Sequence, residues 1–156
     1  MNLSGVWRGH YTYDEHATLT RLPAHPIAFE MTLRQKWFGM VAGTVQDDPK
    51  DGFPDLGKIR GSFKNGTFSF RKLMPTLRMV HEGSQATLEE WAQRRNIATS
   101  DFPVAHPPIL FRGKLSEDGQ TLEGVFSMAE MTIEVPGYYR GLPIPLITGT
   151  WTAKRT

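Results

Sequence analysis

Residues 58–73, KIRGSFKNGTFSFRKL, decide the fold. Ile59 and Phe63 alternate with Lys58, Arg60 and Lys64, and Phe68 and Phe70 alternate with Ser69 and Arg71, so each half has the period of two that marks a half-buried strand. Between them stands Asn65-Gly66, a dipeptide that tolerates φ > 0 at both positions and suits a type I′ hairpin. Working outward, Asp118-Gly119 in SEDGQT joins two further alternating runs in the same way, and QKW (35–37) reads as another tight reversal. The pattern predicts strands at 5–13, 27–35, 38–46, 57–64, 67–73, 76–81, 108–116, 121–135 and 147–155, with sequence neighbours as neighbours in the sheet.

One segment departs from this alternation. In TLEEWAQRRN, Thr87 stands three residues before Glu90, a capping-box spacing, and good helix formers follow without Gly or Pro. A short helix over 88–96 is expected, with Leu88, Trp91 and Ala92 as its apolar stripe. It should pack on the sheet or cap an opening.

Composition sets the class. The 156 residues fit one domain with a substantial core, so 1–156 is read as a single unit. Eighteen basic and sixteen acidic residues are spread along the chain for a net charge of +2, which gives no linear sign of nucleic-acid binding. There is no cysteine, so no disulfide, thiolate metal site or cysteine nucleophile exists, and a reducing, cytoplasmic compartment is expected. The first residues already read as a strand rather than a secretory leader, and charged residues interrupt every apolar stretch, so no membrane association is expected.

Glycine recurs two residues before an aromatic: Gly5-Val6-Trp7, Gly9-His10-Tyr11, Gly61-Ser62-Phe63, Gly66-Thr67-Phe68, Gly124-Val125-Phe126, Gly137-Tyr138-Tyr139 and Gly149-Thr150-Trp151. On a strand this spacing puts both on one face, so a ring lies beside a position without a side chain. Repeated use favours a strongly coiled, closed sheet over a flat one. A two-sheet sandwich with glycine at bulges has the same periodicity.

The opening LSGVWRGHYTY and the closing GTWTAKR resemble the first and last strands of the calycin superfamily, the lipocalin, fatty-acid-binding and avidin-like barrels. The resemblance implies a closed up-and-down antiparallel barrel of about eight to nine strands, with one short helix capping or plugging it. It also implies that Trp7 plugs one end, with Lys154 or Arg155 packed against it, and that Trp151 belongs to the closure. The Thr-Asp-Tyr signature and the cysteine pairs of secreted lipocalins are missing. Residues 14–26 are too short for the helical lid of the fatty-acid-binding branch.

If Trp7 points inward, parity sends Tyr11 and Tyr13 inward, and the lining continues with Phe29, Met31, Leu33, Phe68, Phe70, Ile109, Phe111, Leu122, Phe126 and Met128. Glu30, Thr32, Arg34, Arg71, Arg112 and Lys114 then face out. Such an interior suits a small hydrophobic or amphipathic molecule, and it equally suits a barrel filled by its own side chains. Lys72 shares the parity of Phe68 and Phe70. It either points inward, where an unpaired charge is costly and a bound carboxylate could neutralise it, or reaches water at the rim. Tyr11 and Tyr13 offer hydroxyls to a ligand or to the backbone.

Catalytic and metal signals are weak. His10, His16, His25, His81 and His106 have no zincin spacing, although His81 or His106 has the place of a single haem ligand beside the helix. The acidic run DDPKDGFPD lacks calcium-loop spacing, and a carboxylate pair such as Glu130 and Glu134 could serve acid–base chemistry in a lined cavity. No cofactor, metal site or catalytic residue is assigned. Two alternatives to ligand binding remain open: a filled barrel acting through its outside, for instance by the 102–108 loop or as a homodimer, and a small-molecule enzyme.

Overall fold

The computed structural model describes residues 2–15, 22–81, 84–96, 106–135 and 139–156. Three expected features lie outside what is described: His16, residues 102–105 of the proposed partner loop, and Gly137-Tyr138. The same holds for the side chains of His81, Leu88, Trp91 and Glu134.

Eight antiparallel strands close into a barrel: β1 (Gly5–Tyr13), β2 (Ile27–Gln35), β3 (Met40–Asp47), β4 (Gly57–Lys64), β5 (Thr67–Leu73), then β8 (Ile109–Leu115), β9 (Thr121–Met128) and β12 (Ile147–Arg155). Each pairs with its neighbour in this order, and β12 returns to pair with β1, with Trp7 opposite Arg155 and Tyr11 opposite Trp151. Closure leaves the barrel sheet no free edge. Two segments interrupt the meander, each a hairpin paired within itself: β6 (Arg78–His81) with β7 (Ser84–Thr87), and β10 (Met131–Val135) with β11 (Tyr139–Ile144).

These hairpins correct two strand readings. Residues 76–81 contribute a strand outside the barrel, and the run 121–135 is two strands, because β9 pairs with β8 and β12 only to Met128 and the chain then leaves the barrel. The third barrel strand starts at Met40 rather than Phe38, since Phe38 (φ 60°) and Gly39 (φ 76°) take left-handed conformations to make the reversal. The helix α1 (Leu88–Gln93) is shorter than expected. Its end tightens as Arg95 and Asn96 donate to carbonyls three residues back, and Asn96 (φ 53°) stops it. The helix lies against β6 and β7.

Alternation sorts the side chains as the period predicts. In β2, Ile27, Phe29, Met31 and Leu33 are buried while Ala28, Glu30, Thr32 and Arg34 are exposed. Across β5, β8 and β9 the register sets Phe70, Phe111 and Phe126 side by side, with ring centroids 4.7 and 5.4 Å apart. Trp151 meets Phe68, Phe70 and Phe111 edge-on. This aromatic ladder crosses the inner faces of β5, β8, β9 and β12. Glycine stands beside its last rung: a Cβ on Gly149 would lie 2.4 Å from Phe126 Cε1. The ring relieved by that glycine belongs to the adjacent strand, whereas the Gly-x-aromatic reading placed it on the same one.

The two ends differ. Tight connections, Lys36–Gly39, Asn65-Gly66 and Ser116–Gln120, cluster at one end, and there Trp7 is fully buried, donating from Nε1 to the Leu3 carbonyl at 2.9 Å. The Arg155 guanidinium stacks 4.6 Å from the Trp7 ring centroid and donates to the carbonyls of Ser4, Asn2 and Gly119. Of the two candidate partners, Arg155 is the one on Trp7, and Lys154 is exposed. Every long connection, 14–26, 48–56, 74–108 and 129–146, emerges at the other end.

Candidate functional site

Where the long connections emerge, the apolar interior gives way to a cluster of ionisable groups. Parity does point Lys72 inward from β5: it is 3% exposed. Its Nζ lies 2.7 Å from both carboxylate oxygens of Asp47, the last residue of β3, itself 2% exposed. The strand β4 runs between the two, and Gly57 on β4 lets the lysine stem cross it, since a Cβ there would stand 3.3 Å from Lys72 Cε and 2.9 Å from Met74 Sδ. The carboxylate that a ligand could have brought to Lys72 is thus supplied by the chain itself. Lys72 does not reach the rim.

Asp47 collects further donors. The Tyr11 hydroxyl donates to Oδ2 at 3.1 Å, and the Phe53 N–H donates to the same oxygen at 3.4 Å from the 48–56 connection. The ammonium also lies 5.6 Å from the ring centroids of Tyr11 and Phe53, within cation–π range. The Tyr13 hydroxyl shares a hydrogen bond with that of Tyr11, whose own proton goes to Asp47, and both tyrosine rings meet Phe126 edge-on at 5.6 Å. His106, just before β8, packs edge-on against Phe53 and its Nδ1 lies 2.7 Å from the Pro107 carbonyl.

Burial governs the protonation states. It pushes the Tyr11 phenol up, helped by neighbouring Tyr13 and Asp47, and pushes Tyr13 up to about 12 against the lowering effect of its hydrogen bond with Tyr11. Burial lowers Lys72, with Asp47 opposing the shift. It also lowers His106, whose bond to Pro107 opposes the shift while Lys72 adds to it, so the imidazole is neutral at neutral pH. The cluster therefore presents two phenols holding their protons, a paired ammonium–carboxylate and a neutral imidazole. These are hydrogen-bonding groups in low dielectric, where polar contacts are strong.

Of the residues expected to line a site, Tyr11, Phe29, Met31, Phe70, Lys72, Phe111 and Phe126 are buried, and Tyr13 and Met128 are half-buried against the core. Tyr11, Tyr13, Lys72 and Phe126 come together at the loop-bearing end. Phe29 joins them beside Tyr11, and Met128 lies in register with Ile109, the cross-strand neighbour of Lys72. Phe70 and Phe111 belong to the ladder. Met31 is drawn away, because its register partner is Trp7 at the plugged end. Sequence reasoning missed Asp47 and Phe53, which it assigned to an acidic loop, and knew His106 only as a haem candidate. The missed signal is parity: extending β3 by one residue puts Asp47 on the inward face with Val41 and Val45, opposite in sign to Lys72.

A surface groove of about 590 Å³ also lies on the outer wall over β8, β9, β12 and β1, with His10, Thr12, Arg112, Val125 and Thr150 among its lining. The interior cluster, with its buried and mutually bonded polar groups, is the better candidate. The chain matches no protein-family profile and no curated protein sequence.

Proposed function

We propose that this chain is a calycin-like barrel that binds a small apolar or amphipathic molecule non-covalently at its loop-bearing end. The apolar body lies against Tyr11, Phe29, Phe126 and Met128, and a polar group meets the hydroxyls of Tyr11 and Tyr13 and the Lys72–Asp47 pair. The observation that carries this reading is the buried ion pair with its tyrosines beneath the long connections. A buried pair adds little net stability compared with well-packed apolar side chains of the same volume, so a barrel needing only a core gains nothing by keeping one there. Convergent polar groups in an apolar setting are the usual composition of a ligand site.

Phenols shifted upward and an ammonium held by its own carboxylate act as hydrogen-bond donors at neutral pH, which favours recognition over acid–base catalysis. The aromatic ladder favours a second reading, a barrel filled by its own rings that works through its outer surface.

Native mass spectrometry of the purified chain should reveal a bound species of small mass, and a fluorescent lipophilic probe should be displaced by it. Tyr13→Phe removes one hydroxyl while keeping the ring and should weaken a polar-headed probe about fivefold to tenfold. A protein that carries no small molecule and takes up no probe belongs to the filled-barrel reading.

A further inference from the structure

The turn between β2 and β3 holds three apolar side chains in solvent: Trp37, Phe38 and Met40 are 86%, 101% and 55% exposed. The turn is braced. Lys36 donates to the Met40 carbonyl at 2.7 Å, and Gly39 sits so close to β4 that a Cβ there would lie 2.4 Å from the Phe63 carbonyl oxygen. Two adjacent rings are therefore held out by the backbone, at a corner of the plugged end.

Charge surrounds that corner. Exposed Arg34 and Lys36 flank the rings, and Lys64 follows Phe63, where the turn is braced. Arg60, Arg71 and Lys114 continue across the outer faces of β4, β5 and β8. No Asp or Glu faces outward from β3, β4, β5 or β8, and among the described residues none of these six cations enters an ion pair. Arg60 and Arg71 stand directly opposite each other in register, a like-charge placement that costs stability unless an outside anion covers it. Acidic residues enter at the β8 margin, where Glu123 on β9 stands opposite Lys114 in register and Glu117 and Asp118 sit on the β8–β9 turn, so the cations with no outward carboxylate on an adjoining strand are those of β4 and β5.

From this juxtaposition we propose that the chain docks on an anionic lipid bilayer by this corner. Trp37, Phe38 and Met40 enter the headgroup–acyl boundary and the cations meet the lipid anions. Stable peripheral attachment takes two signals, an apolar anchor and a basic patch, and both are present side by side. Trp is a preferred side chain at that depth. A single-stranded nucleic acid fits less well, because it needs rings interleaved with the cations for base stacking. The outward positions between these cations are Ala42, Thr44, Ser62, Thr67 and Ser69, and the rings stand apart at the tip. Docked this way, the loop-bearing end faces away from the bilayer, and the inference does not depend on the ligand reading.

Co-sedimentation with phosphatidylcholine vesicles, with and without about 30% phosphatidylserine, tests it. The chain should bind only the anionic vesicles, and lose at least about tenfold in partitioning when salt rises from about 0.1 M to about 1 M. Trp37→Ser with Phe38→Ser should lose about tenfold or more with an unchanged circular dichroism spectrum, and Arg60→Glu with Arg71→Glu should abolish the preference for phosphatidylserine. In the unsubstituted protein, brominated lipid should quench indole emission, a readout that needs no variant. Four outcomes overturn the proposal: equal binding to neutral vesicles, undiminished binding by the serine variant, unquenched emission from vesicle-bound protein, or binding to a single-stranded oligonucleotide without binding to vesicles. A dimer that the serine variant dissolves would do the same, by assigning the corner to a second copy.

Discussion

Asp47 and Lys72 are each held by the other inside a wall of apolar side chains. Removing one partner leaves the other charge buried and unpaired, which costs about 3–5 kcal/mol, whereas replacing both with apolar residues removes two desolvation penalties at once. Asp47→Leu and Lys72→Met should therefore each destabilise strongly in chemical denaturation, and the double variant should recover most of the loss. If the two single losses simply add, the pair is not coupled and the geometry is not maintained in solution. The same double variant should bind a polar-headed probe poorly, which separates the pair's contribution to stability from its contribution to recognition. Half of the pair was legible in the sequence: alternation from Phe68 and Phe70 points Lys72 inward. Its partner was not, because Asp47 is followed by Asp48, Pro49 and Lys50, and a local reading assigns all four to a solvated turn.

At the level of single strands, β12 is constrained by backbone and ring together. A Cβ on Gly149 would stand 2.2 Å from the Thr12 carbonyl oxygen and 2.4 Å from the Phe126 ring, so both backbone and ring would have to move. Gly149→Ala should cost about 2–3 kcal/mol. Gly119→Ala, at a turn with φ +71° and open space around it, should cost only the left-handed backbone strain of about 1 kcal/mol. Equal losses at the two sites in denaturation would show that packing around Phe126 is loose. Strand existence was readable from period two almost everywhere, and the Asn65-Gly66 and Asp118-Gly119 hairpins stand where their turn chemistry puts them. Pairing partners were not readable for β6 and β10. Their alternation resembles that of barrel strands, and nothing local distinguishes a strand that joins the barrel from one that pairs with the next segment.

For the molecule as a whole, stability should form a plateau with two different shoulders. On the alkaline side the unfolded chain releases its phenol protons near pH 10, while native Tyr13 holds its own to about 12 and Tyr11 to higher pH still. The native state then binds more protons, so stability falls as pH rises through this window. On the acid side the unfolded chain protonates His106 near 6.5 and the native state resists. The unfolded state then binds more protons, and stability falls as pH drops below that value. Thermal midpoints across this range should show both shoulders, and Tyr13→Phe should soften the alkaline one. Lys72, lowered in the native state, acts in the opposite direction over the same window in both proteins, so the comparison decides: a Tyr13→Phe profile identical to the parent's up to pH 12 would mean that the Tyr13 phenol is not buried as described. At this scale the sequence hides most: cations scattered evenly along the chain are gathered on one outer face by alternation and register together, an arrangement visible only once the barrel is closed.

The pairing of β1 with β12 also sets a schedule for synthesis. These strands meet across almost the entire chain, with Thr148 donating to Asp14 at 2.6 Å beyond the last ladder pair. On a ribosome the Trp7 end is made first, yet it waits for Arg155, the residue that stacks on it. Until β12 has been made and has emerged, β1 and β9 are open to other nascent chains.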